Sequence, residues 1–98
     1  MLMRFDEALD RAEEKILPLK STDNAAYAKL HARIEKERML NLYFRLTFHR
    51  AYYNNGELAE MINRFERITS ANKITYIGTS SKAQSCSDYI KELRSKLI

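Results

Sequence analysis

Few side chains in this sequence belong to the types that bind metal ions. The chain has two histidines, His31 and His49, and a single cysteine, Cys86. The histidines are 18 residues apart, so on one helix they would point the same way but lie about 27 Å from each other. Only an antiparallel dimer would bring both imidazoles to one ion. We therefore expect neither a metal site nor a cofactor.

Nucleophilic and acid–base catalysis find little support either. Cys86 falls on the apolar stripe of its predicted helix, where a cysteine packs as a small hydrophobic side chain. Asp10 and Glu14, or Glu13 and Glu14, would form carboxylate pairs on a solvent-facing side, with nothing to shift their pKa values. The sequence contains no Gly-rich phosphate loop or dinucleotide fingerprint. We expect a protein that is not an enzyme and has no small-molecule substrate.

Nucleic-acid binding is one alternative, because a basic ridge follows the second predicted helix. Aromatic and basic side chains alternate over residues 43–53, as they do in proteins that bind single strands. Stacking on bases requires exposed rings, however, and helical spacing predicts that Phe44 and Phe48 belong to a core stripe. The candidate nucleic-acid contacts are His31, Arg38, Arg45, His49 and Arg50.

The second predicted helix carries two apolar stripes on roughly opposite sides. One is predicted to be core and contains Ala26, Tyr27, Leu30, Ile34, Phe44, Phe48 and Ala51. The other is the predicted partner-binding stripe and contains Met39, Leu42, Tyr43, Leu46 and Tyr53. Met, Leu and aromatic side chains are typical of helix-in-groove contacts. The alternative is that the fourth helix, or an Ile74–Ile77 connector, covers this second stripe within the same chain.

The composition indicates which elements must position these side chains. The 98 residues are 45% hydrophobic and 31% charged, with two Gly and one Pro, too few for the turns of an all-β fold. We predict an all-α, four-helix, mainly antiparallel bundle in a single domain, residues 1–98, with a long central second helix. The first two helices are predicted over about residues 4–19 and 23–53. The third follows Asn54-Asn55-Gly56, which the sequence predicts to end the second helix. It carries a single apolar stripe of Leu58, Met61, Ile62, Phe65 and Ile68.

The C-terminal third is less regular. Ile74 to Gly78 has strand-like composition, and it is predicted to be an extended connector that plugs the end of the bundle. The alternative is a strand that pairs with its copy in a second subunit. Ser81 to Gln84 matches a capping box and is predicted to open the fourth helix. The buried stripe of this helix is predicted to contain Cys86, Tyr89, Ile90, Leu93 and Leu97.

Charge and length limit the remaining possibilities. The net charge is +4, with acidic residues concentrated in residues 1–14 and basic ones in residues 15–56, an asymmetry that attraction between neighbouring helices explains. We expect no signal peptide, no membrane span and a cytoplasmic location. This size and composition are typical of small bacterial or phage accessory proteins. The sequence favours a regulator that binds another protein, itself as a homodimer, or both, with a nucleic-acid-binding regulator as the alternative.

Overall fold

The computed structural model describes residues 2–78 and 83–97, and it is helical over most of them. Two short strands and one 3-10 turn, Arg50–Tyr52, accompany the helices. The elements are α1 Leu2–Ile16, α2 Leu19–Thr22, α3 Asn24–Phe48, α4 Asn55–Ala71, β1 Tyr76–Ile77, β2 Gln84–Ser85 and α5 Cys86–Ser95. The predicted all-α fold of four main helices with a long second one is confirmed. The chain forms two compact units, Met1–Asn41 and Leu42–Ile98.

The first predicted helix is divided in two. α1 ends at Ile16, and α2 begins after Pro18. Proline has no N–H to donate to the preceding turn, so it interrupts the helix and starts a new one. The Pro18 carbonyl then accepts hydrogen bonds from the hydroxyls of Ser21 and Thr22, at 3.3 and 3.2 Å. These bonds hold the short α2 against the turn.

The second helix is shorter than predicted. α3 has 25 residues, about 37 Å, and ends at Phe48 instead of near Tyr53. The following 3-10 turn brings Tyr53 back to α3, where its hydroxyl accepts a hydrogen bond from Arg45 Nε at 2.9 Å. A continuous helix would separate these two residues by about 12 Å.

Asn54 begins a helix instead of ending one. Its side chain accepts a hydrogen bond from the Glu57 N–H at 2.8 Å, and the Glu57 carboxylate accepts one from the Asn54 N–H at 3.1 Å. This reciprocal pair is a capping box. The stop predicted at Asn54-Asn55-Gly56 is therefore wrong in position, because Asn55 and Gly56 already lie in α4.

The second unit has a core built from single-sided helices. Phe65 and Ile62 of α4 and Leu46 of α3 are at most 1% exposed, and Tyr89 of α5 meets Phe65 edge-on with ring centroids 5.5 Å apart. The predicted stripes of the third and fourth helices are confirmed as buried at Leu58, Met61, Ile62, Phe65, Ile68, Cys86, Tyr89, Ile90 and Leu93.

The predicted connector is a strand. β1 pairs antiparallel with β2 of the same chain, in the register Tyr76 with Ser85 and Ile77 with Gln84. Ile77 is buried, as a plug would require, but Tyr76 is exposed. The partner strand is supplied by this chain, so the pairing with a second subunit is not needed.

The fourth helix begins later than predicted. α5 starts at Cys86, and its N-cap is Ser85, whose hydroxyl accepts a hydrogen bond from the Asp88 N–H at 3.3 Å. Gln84, predicted to lie inside this helix, is in β2. Residues 81 and 82 of the predicted capping box lie outside the described residues.

Candidate functional site

The predicted partner-binding stripe is mostly buried. Met39, Leu42 and Leu46 are 3%, 2% and 1% exposed, while Tyr43 and Tyr53 are half-buried. Within the second unit, α5, the fourth helix predicted from the sequence, contacts this stripe: the Tyr89 ring packs on Tyr43 with ring centroids 5.3 Å apart. The assignment of Met39, Leu42 and Leu46 to a partner surface is therefore wrong.

The stripe predicted to be core is exposed over its C-terminal half. Phe44 is 48% exposed, Phe48 is 64% exposed, and Tyr52 in the 3-10 turn is 81% exposed. These three residues, spaced four apart, are called the aromatic surface below. The Phe44 and Phe48 ring centroids are 5.8 Å apart. Grouped exposure of large aromatic side chains is uncommon in monomeric proteins and is typical of interaction sites.

The basic ridge is interrupted at Arg38, which is buried in the first unit. Its Nη2 donates to Asp10 Oδ1 at 2.7 Å and to Glu13 Oε2 at 2.8 Å, and Nη1 lies 4.0 Å from Asp6 Oδ1. Burial opposes the charged guanidinium, but the hydrogen bonds that Arg38 donates to Asp10 and Glu13, together with the attraction of their charges, outweigh burial and raise the pKa of Arg38. The residue is an internal ion-pair centre, and the prediction that it contacts phosphates is wrong.

The ridge is interrupted again in the second unit. Arg45 is buried, with its guanidinium 5.2 Å from the centre of the Tyr53 ring as well as bonded to the hydroxyl. Its prediction as a nucleic-acid contact is also wrong. His49 is half-buried beside Tyr52, with ring centroids 5.9 Å apart. Arg50 is half-buried, and its Nη1 is buried without a hydrogen-bond partner among the described residues.

His31 lies between two carboxylates in the first unit. Its Nε2 is 3.7 Å from Glu13 Oε1 and 3.8 Å from Glu35 Oε1, and all three side chains are half-buried. The Tyr27 ring stacks on the imidazole at 5.4 Å. The expectation of no metal site rested on the separation of His31 and His49. The four-residue spacing of His31 and Glu35 was available from the sequence, whereas the approach of Glu13 depends on how α1 meets α3.

The nucleophilic side chains are unsuited to covalent chemistry. Burial raises the pKa of the Cys86 thiol, so little of the reactive thiolate forms at neutral pH. Burial also raises the pKa of Tyr89 to about 12, and its hydroxyl is 2.6 Å from the Thr47 hydroxyl. Both side chains belong to the core of the second unit. That the protein is not an enzyme stays a prediction.

Comparison of the chain with protein-family models, with curated proteins and with solved structures found no match. Within residues 2–78 and 83–97, none of the helices is both long enough and apolar enough to cross a bilayer.

Proposed function

We propose that this protein is a small, non-enzymatic interaction module that associates with a second copy of itself through the aromatic surface. The single observation that carries the proposal is the joint exposure of Phe44 and Phe48, whose ring centroids are 5.8 Å apart on α3, with Tyr52 exposed in the turn that follows. The role fits an accessory or inhibitor-type regulator. A reducing compartment such as the cytoplasm suits the free thiol of Cys86.

The area of the aromatic surface supports an interface of ordinary size. With about 200 Å² for each aromatic side chain, the exposed fractions amount to about 400 Å² per copy. A standard interface buries about 800 Å² per partner. About 56–65% of that area is apolar, or roughly 450–520 Å². Three side chains therefore supply most of the apolar area that one copy must contribute.

The arrangement of the rings favours a second copy as the occupant. Phe44 and Phe48 are one helical turn apart, so two α3 helices related by a twofold axis would place Phe44 of each against Phe48 of the other. Such an interface uses the same patch twice and requires no complementary charge. The three side chains carry no charge, so like charges do not oppose this pairing.

A nucleic acid is the second candidate, and one observation favours it. Base stacking requires exposed rings, and Phe44, Phe48 and Tyr52 supply them. Against it, Arg38 and Arg45 are buried in internal contacts, which removes both from the basic ridge that would hold phosphates. We therefore keep this candidate as an outcome of the test below.

The test is light scattering during size-exclusion chromatography over a wide range of protein concentration. We expect a dimer for the natural sequence and a monomer for Phe48→Ser, with unchanged helicity by circular dichroism. Tyr76→Ser is the matched control, because Tyr76 is an exposed aromatic residue outside this surface, and it should remain a dimer. A strict monomer for the natural sequence, or a Phe48→Ser dimer of unchanged affinity, would overturn the proposal.

The same samples test the second candidate. A single-stranded oligonucleotide is titrated into the natural protein and into Phe48→Ser at low and high salt. Binding that weakens steeply with salt and is lost in Phe48→Ser, while the protein stays monomeric, would replace the self-association proposal with the nucleic-acid one. No binding at low salt removes the nucleic-acid candidate.

A further inference from the structure

We propose that Glu13, His31 and Glu35 form a binding site for a divalent metal ion of the zinc class. Glu13 is contributed by α1, and His31 and Glu35 by α3, all within the first unit. The three side chains offer one imidazole nitrogen and two carboxylate oxygens, a ligand set that zinc accepts. This site lies outside the aromatic surface and is independent of the proposed self-association.

The distances are close to those of a coordinated ion. Zinc binds nitrogen and oxygen ligands at about 2.0–2.1 Å, so neighbouring ligands of a tetrahedral ion are about 3.3 Å apart. Here Nε2 of His31 is 3.7 Å from Glu13 and 3.8 Å from Glu35, and all three ligand atoms lie within 4.8 Å of one another. Small side-chain movements are enough to close the gap. The same distances are too long for hydrogen bonds, so His31 is not hydrogen-bonded to either carboxylate.

Side chains outside the triad already orient two of its members. Arg38 holds Glu13 through Oε2, which leaves Oε1 as the oxygen nearest His31. Tyr27 stacks on the imidazole with an interplanar angle of 21° and restricts its rotation. Partners that fix the ligands in this way are a regular part of metal sites, since they reduce the cost of ordering the ligands on binding.

The local charge also favours a cation. Four carboxylates, those of Asp6, Asp10, Glu13 and Glu35, gather around Arg38 and His31. Arg38 is bonded within this group, and Lys20 Nζ lies 5.9 Å from the centre of the Tyr27 ring. The four carboxylates outnumber these two cations. The half-buried position of the ligands strengthens that attraction relative to open water.

The ligand types select among metal ions. Magnesium and calcium prefer sets composed entirely of oxygen, whereas an imidazole favours zinc and its neighbours. Three protein ligands leave one position of a tetrahedral ion for water. We therefore expect zinc to bind with a stoichiometry of one per chain, and magnesium to compete weakly.

The test is isothermal titration of zinc chloride into the tag-free, full-length protein, with thermal unfolding followed in parallel. His31→Gln and Glu35→Gln should each weaken zinc binding at least 10–100-fold, the loss seen even for residues that only support a ligand. Zinc should raise the unfolding temperature of the natural protein and lose this effect in both variants. Two variants are used so that a failure of one to fold, visible by circular dichroism, leaves the other decisive.

His49→Gln is the matched control, because it removes the other histidine of the chain. It should bind zinc as tightly as the natural protein. The proposal is overturned if zinc binds His31→Gln and the natural protein equally, if His49→Gln loses the binding instead, or if no binding is detected at all. None of these results depends on whether the aromatic surface mediates association, since the dimer is measured separately by light scattering.

Discussion

Leu46 and Phe48 are two residues apart on α3 and should respond to truncation in opposite ways. The sequence patterns predict Leu46 as partner-facing and Phe48 as core, whereas Leu46 is 1% exposed and Phe48 is 64% exposed. We expect Leu46→Ala to destabilise the folded chain and Phe48→Ala to leave its stability nearly unchanged.

The expected size of the first effect follows from the burial of Leu46. Its truncation to Ala removes three carbon atoms from the core, at about 0.8 kcal/mol each. The cavity left behind adds to this, so the total should be about 3–4 kcal/mol. Native domains are stable by only about 5–15 kcal/mol. For a chain of this size each kcal/mol lowers the unfolding temperature by about 4–8 °C, so a fall of roughly 12–30 °C is expected.

Urea unfolding followed by circular dichroism measures both variants on the same scale. It should be run at a protein concentration at which light scattering reports a monomer, since association would add to the apparent stability. Phe48→Ala should stay within about 0.5 kcal/mol of the natural protein, as exposed substitutions usually do. A Phe48→Ala cost equal to or greater than that of Leu46→Ala would refute the assignment of the buried face of α3.

Three further predictions concern polar groups. Because burial raises the pKa of Tyr89 from 10 to about 12, its contribution to stability should be complete below pH 10. The free energy of unfolding should fall by about 2–3 kcal/mol as the pH rises through 12. In Tyr89→Phe the free energy of unfolding should depend less on pH over this range. Asn54→Ala should lower the free energy of unfolding in urea by about 1 kcal/mol because α4 loses its N-cap, whereas Asn54→Ser should keep most of this stabilisation. Arg38→Met should cost about 1.5–3 kcal/mol because Asp10 and Glu13 lose a charged hydrogen-bond donor. A cost near zero would contradict the ion-pair assignment.

The helices with one apolar face were predictable from sequence. The stripe from Leu58 to Ile68 and that from Cys86 to Leu93 are buried as expected. In each, the apolar residues recur at three- and four-residue steps, so only one face can be removed from water. Helix boundaries were less predictable, since they depend on individual caps. The spacing of Asn54 and Glu57 already matched a capping pattern, but the same residues also match a helix stop.

The buried face of α3 could not be deduced from its own residues. Both of its stripes are apolar, so periodicity gives no preference between them. The choice is made by other elements, as shown by Tyr89 of α5, which packs on Tyr43 and bonds to Thr47. Which face of α3 is buried thus depends on residues that are close in space but more than 40 positions away in the sequence, as Tyr89 is from Thr47.

The polar cluster of the first unit was predictable only as a general attraction between an acidic first helix and a basic second one. A buried arginine is acceptable only when carboxylates meet it, and those of Asp10 and Glu13 lie 25 or more residues earlier in the chain. The sequence indicated neither which acids meet Arg38 nor that Arg38 is buried. Only the approach of α1 to α3 shows that they neutralise one another and that Glu13 also reaches His31.

The aromatic surface is not required by the fold, and this is the strongest argument that it has a role. The core of the second unit is already filled by the stripes of α4 and α5 together with Leu42 and Leu46. Polar residues at positions 44 and 48 would leave that core intact and would remove an aggregation hazard. Phe44 and Phe48 therefore have a role in binding a partner or have no role at all, since the fold does not require them. If Phe48→Ala changed neither stability nor association nor oligonucleotide binding, the aromatic surface would have no function, and the proposal of an interaction module would lose its main support.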